Sequence, residues 1–142
     1  MNGKLIKASR RWIILLGLLL MVLFVTTACG ADNKVSALII SAVDSADQSI
    51  KPSAESGSKA TAEKIKSIRD AEALVNKVAG TYKFVTRSED AGPFGDMANA
   101  LGAKAEYLET GNKSANDTFN SLYDKSKAEL LKFAQTLKDK GL

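Results

Sequence analysis

The chain has 142 residues, with 20 lysines and arginines against 16 aspartates and glutamates, one cysteine and no histidine. Without an imidazole it can build no Ser-His-Asp or Cys-His catalytic arrangement and no histidine ligand for zinc, and one cysteine allows no disulfide within the chain. The positive excess sits wholly in Lys4, Lys7, Arg10 and Arg11, so residues 29–142 carry 16 charges of each sign, which argues against a nucleic-acid partner.

The first predicted element is an export signal. The four early cations precede an unbroken apolar run from Trp12 to Val25, which ends in the small residues Thr26, Thr27 and Ala28 before Cys29. A positive segment, a short apolar segment and a small-residue exit are the three physical parts of such a signal. The cationic end is held on the cytoplasmic side while the apolar run partitions into the bilayer. Three other readings fit the same residues, one of which takes Cys29 as an incidental thiol. Another is ordinary secretion with cleavage near Ala28. The last is an uncleaved anchor, because Trp12 to Ala28 is 17 residues, at the lower edge of the roughly 17–25 that span a bilayer.

The segment Val25-Thr26-Thr27-Ala28-Cys29 resembles the lipobox of bacterial lipoproteins, which are cut just before a cysteine that carries diacylglycerol. Thr27 and Ala28 fit that pattern; Thr26 stands where the family most often has leucine. The resemblance covers the first 29 residues. It implies a signal peptide over 1–28, lipid attachment at Cys29 and a short tether over 29–34. Two or three acyl chains, at about 0.8 kcal/mol per buried methylene, would hold the chain stably to a membrane. The segment also resembles those of the small helical surface lipoproteins of Lyme and relapsing-fever spirochaetes. Gly30, in place of aspartate, is similar to lipoproteins sent on to an outer membrane. These resemblances imply a lipid-anchored protein of the cell envelope, at the outer membrane or cell surface rather than the inner membrane.

Residues 35–142 read as one helical domain, all-α, with about four helices in a small antiparallel bundle. From Lys34 to Ile50 the apolar residues Val35, Leu38, Ile39, Ala42, Val43, Ala46 and Ile50 fall on one helix face, with Asp44, Asp47 and Gln48 turned away. Pro52 disfavours helix at Lys51, and residues 51–59 read as a polar linker. A second helix is expected from about Ala60 to Ala79, with Ile65, Ile68, Ala71, Leu74, Val75 and Val78 as its core stripe and Gly80 as its stop.

Residues 81–95 are the least helical by pattern. Tyr82, Phe84 and Thr86 alternate with Lys83, Val85 and Arg87, as in a short strand or extended loop, and Gly92 and Gly95 flank Pro93-Phe94 as a turn. Asp96 then caps a third helix to about Thr110, built on Met97, Ala98, Leu101, Ala105 and Leu108 and broken at Gly111. The last helix runs from Ser114 or Asn116 to Lys140, with Phe119, Leu122, Tyr123, Ser126, Leu130, Phe133, Ala134 and Leu137 as its seam. A three-helix bundle with the first helix detached is the alternative arrangement.

The aliphatic stripes read as core, not as ligand sites. Phe94 could be a partner-binding anchor at a loop tip, with Tyr82, Phe84 and Tyr107 as an aromatic patch around it; packed under the loop, it would instead close the bundle end. Asn112 and Asn116 each begin an N-glycosylation pattern and equally suit the start of a helix. No catalytic residue, metal ligand or cofactor is assigned. The expected role is that of a non-catalytic interaction module, displayed by its lipid to an unidentified protein partner, possible host components included. The alternative is a structural or assembly subunit facing the periplasm. Oligomeric state is left open.

Overall fold

The computed structural model describes residues 34–52 and 58–142. The export signal, Cys29 and most of the tether therefore lie outside the described residues, as does the middle of the 51–59 linker. Lys34 to Leu142 form one compact unit, built of four helices: α1 (Val35–Ile50), α2 (Ser58–Thr86), α3 (Gly92–Thr110) and α4 (Lys113–Asp139). Among the described residues there is no strand. Each helix packs on the next, and α4 closes back onto α1. This is a four-helix, up-and-down bundle, in which α1 packs against both α2 and α4 and is not detached.

The helical stripes meet in a single core. Ile39, Val43, Ile68, Val75, Met97, Leu101 and Leu130 are almost wholly buried, and eight alanines join them inside. Small residues at those positions let helix backbones approach closely, so a modest number of large side chains fills the interior. Ser126, central in the α4 seam, is buried with its hydroxyl donating to the Tyr123 carbonyl at 3.0 Å. That bond satisfies a hydroxyl the seam takes inside.

Two expectations about residues 81–95 are corrected. Gly80 does not end α2, which continues for six more residues through Thr86; Tyr82, Phe84 and Thr86 are therefore helical. The cause is tertiary. Tyr82 is buried, stacked on Phe133 of α4 with ring centroids 5.5 Å apart and tilted against Phe94 at 5.2 Å. Burying that ring outweighs the roughly 1 kcal/mol that a glycine inside a helix costs relative to alanine. Likewise α3 starts at Gly92, not after Asp96, because Pro93 occupies its first turn, where a fixed φ and a missing N–H cost nothing.

The connection between them is five residues, 87–91, and side chains stitch it. Thr86 Oγ1 donates to the Tyr82 carbonyl at 2.7 Å and accepts from the Ser88 N–H at 3.3 Å. Ser88 Oγ accepts from the Asp90 N–H, and Asp90 Oδ1 from the Gly92 N–H. The remaining ends follow the sequence more closely. Gly111, at φ 72, ends α3 in the left-handed region, and Asn112 caps α4 by accepting from the Ser114 N–H at 3.1 Å. The final helix thus begins at Lys113, one residue before the earlier of its expected starts.

Candidate functional site

The residues singled out from sequence do not gather into one site. Cys29 lies outside the described residues. Phe94 is 1% exposed and Tyr82 is buried, so neither is free for a partner; the loop-tip reading of Phe94 is corrected to the packed one. With Phe133 the two rings form an aromatic cluster that joins α2, α3 and α4 near one end of the bundle. Tyr107 belongs to a different neighbourhood. Lys104 Nζ stands 5.2 Å from its ring centre and 4.8 Å from that of Phe119, a cation–π arrangement between α3 and α4.

Phe84 is the exception, at 86% exposed. It sits two residues beyond Tyr82, about 200° further round the helix, so the turn that buries one ring turns the other outward. Val85 beside it is 41% exposed. Along the outward face of the second half of α2, Asn76, Lys77, Gly80, Lys83, Phe84 and Arg87 are all exposed. From Ala73 to Ser88 the chain holds Lys77, Lys83 and Arg87 and no acid. Arg87, the first residue past α2, has φ 54, a left-handed conformation that favours glycine.

A second constellation escaped the sequence reading. Asp47 of α1, expected to face solvent, is half-buried and bonded through both oxygens: Tyr123 OH donates to Oδ1 at 2.7 Å and Lys127 Nζ to Oδ2 at 2.6 Å. The partners are 76 and 80 residues away in sequence, on α4, and each belongs by spacing to a solvated face or an apolar seam. Nothing local in the sequence pairs them. Around this clasp lies an open groove of about 700 Å³, whose charged lining is Asp44, Asp47, Lys51, Asp124 and Lys127.

Burial raises the Asp47 carboxyl, but the bonds from Lys127 and Tyr123 and the charges of Lys127 and Lys51 together lower it below its ordinary value. Tyr123 moves the opposite way. Burial, and then its bond to the Asp47 carboxylate, hold the phenol protonated well above its ordinary range. The pair is thus a carboxylate that stays charged and a phenol that stays neutral, a structural clasp of α1 to α4. Farther along, Lys64 of α2 donates to the carbonyl of Lys51, just past the end of α1, a cation placed where the helix dipole favours one. Among the described residues no group of three or more Cys, Asp or Glu is arranged to hold a metal ion, and no buried side-chain nitrogen or oxygen lacks a hydrogen-bond partner. Comparison with known proteins matched no family model, no curated protein and no solved structure.

Proposed function

We infer that the protein is a lipid-anchored, non-catalytic component of a bacterial cell envelope that works by display, holding a helical interaction module close to a membrane. The observation that carries this reading is the placing of the only cysteine, Cys29, directly after the apolar run and its small-residue exit. Two features are consistent with it. The bundle's first helix starts at Val35, so the anchor and the folded unit are separated by only a few residues. No described helix is long and apolar enough to cross a membrane, and the alternative span, Trp12 to Ala28, lies outside the described residues.

The test is the intact mass of the protein and of its Cys29→Ser variant, both taken from membranes of the expressing cell. The expected wild-type mass lacks residues 1–28 and carries added acyl chains; the serine variant is expected to accumulate as precursor or leave the membrane. A serine variant that matures and sediments with membranes as the wild type does would overturn the anchored reading. Protease added to intact cells separates display from the alternative. Loss of the bundle supports surface display, and full protection supports an assembly subunit facing the periplasm.

A further inference from the structure

We propose that the outward face of the last turns of α2, centred on Phe84, seats in the surface of an anionic bilayer beside the anchor, as a second membrane contact; this rests on the anchored reading of Cys29. The face has the composition of an interfacial contact. Phe84, 86% exposed, shares the side of α2 that carries Lys77 and Gly80, about two turns and one turn earlier, with exposed Lys83 and Arg87 beside it. An apolar ring enters the boundary between headgroups and acyl chains while long cationic side chains reach lipid phosphates. Each cation near an anionic surface adds attraction that falls off within a Debye length. Acids flank the face and are absent from α2 between Ala73 and Thr86. Asp90 accepts from the Gly92 N–H and Asp139 from Gln135, and Glu89 lies in the connection beyond Arg87.

Topology brings the face to the end of the bundle where the chain enters. Ser36 Oγ, in the first turn of α1, donates to the carbonyl of Leu142 at 2.7 Å, which places the start of α1 at the end of α4. Val85 and Thr86 at the end of α2 line the same groove as Lys140 and Leu142. The start of α1, the end of α2 and the end of α4 are therefore together. Cys29 precedes Lys34 by five residues, which span at most about 17 Å when extended. Acyl chains at Cys29 would hold this end of the bundle within reach of the headgroups. One ring and three cations bind a bilayer weakly alone, but a tether that short makes the second contact intramolecular and raises its effective concentration.

The experiment uses the full chain, reconstituted in vesicles that contain phosphatidylglycerol, with a tryptophan reporter introduced by Phe84→Trp in a Trp12→Phe background. Ala128→Trp, at an exposed position of α4, serves as the control. Expected at position 84 are blue-shifted emission and strong quenching by brominated lipids, several-fold greater than at position 128. Quenching should be several-fold weaker in purely zwitterionic vesicles, and likewise after Lys83→Glu with Arg87→Glu. Water-like, unquenched emission from position 84 in the anionic vesicles overturns the proposal. So does blue-shifted emission without lipid quenching, the result a protein partner or a second copy covering the ring would give. The mass of the same sample decides the anchor separately: a chain without acyl mass sinks the anchored reading, while the signal at position 84 still decides the lipid contact.

Discussion

Three backbone positions with opposite demands allow a test at the level of single residues. Gly80 lies inside α2, exposed, and an added Cβ would meet nothing within 4 Å. Alanine there removes the helix-interior cost of glycine, so Gly80→Ala should stabilise the bundle by roughly 0.5–1 kcal/mol. Gly111 has equal room around it but stands at φ 72, so Gly111→Ala should destabilise by about 1 kcal/mol or more. Arg87 is the converse, a side chain held at φ 54, and Arg87→Gly should gain about 1 kcal/mol by relieving the left-handed strain. Urea unfolding midpoints of the three variants check these signs. A loss of stability in Gly80→Ala would contradict the helix through that position. The contrast also shows why two glycines that look alike in sequence act differently: both follow an apolar stripe, but only at Gly111 does the chain turn left-handed.

At the level of the element, α2 separates two aromatic residues that the sequence presents as equals. Tyr82 and Phe84 alternate in what reads as a strand, where both would share one face. As a helix the same pair is divided between core and solvent, because the rotation per residue is 100° instead of 180°. Phe94→Ala, which empties a fully buried site against Tyr82 and Phe133, should cost roughly 3–5 kcal/mol. Phe84→Ser should change stability by less than about 0.5 kcal/mol, measured as a shift in thermal midpoint in detergent. A large loss in Phe84→Ser would mean that its ring is packed. The core stripes of all four helices were legible in advance, since a 3.6-residue period over four or more turns is a strong signal. The end of α2 and the start of α3 were not. Gly80 is a breaker only where nothing nearby rewards continuing, and the reward here is a ring stack supplied by Phe133, some fifty residues on; Pro93 opens α3, since in a first turn it breaks nothing.

For the whole molecule, the Asp47–Tyr123–Lys127 clasp sets a pH dependence. The folded-state pKa of Asp47 is lowered relative to the unfolded chain, so its contribution is present at neutral pH and is lost as pH falls below about 4. Tyr123 is raised, so its contribution is present below about pH 10 and is lost as pH rises beyond that value. Denaturant unfolding across pH 2–11 should show both losses. Asp47→Asn should lower stability at pH 7 and flatten the acid limb, and Tyr123→Phe should lower it by roughly 0.5–1.5 kcal/mol and flatten the alkaline limb. An unchanged acid limb in Asp47→Asn would show that other carboxylates govern it. If the bundle rides on acyl chains at Cys29, the lipid contact of α2 lies at the end opposite the ordinary expectation for a displayed module, with Phe84 turned toward the membrane and not toward a distant partner.

The sequence by itself determined that residues 35–142 are built mainly of amphipathic helices, about four in number, and it named most of their buried stripes, though not Tyr82, Ala100 or Ala115, because periodicity is a local property that each helix carries alone. It also carries the whole case for the anchor, in a charge block, an apolar run and one cysteine. Only the tertiary structure decided that α2 runs past Gly80 to Thr86 and that α3 begins at Gly92, that Phe94 is interior and Phe84 exterior, and that Asp47 is clasped by Tyr123 and Lys127. Those outcomes depend on energies gained between segments dozens of residues apart, and a linear pattern holds no record of which helix will stand beside which.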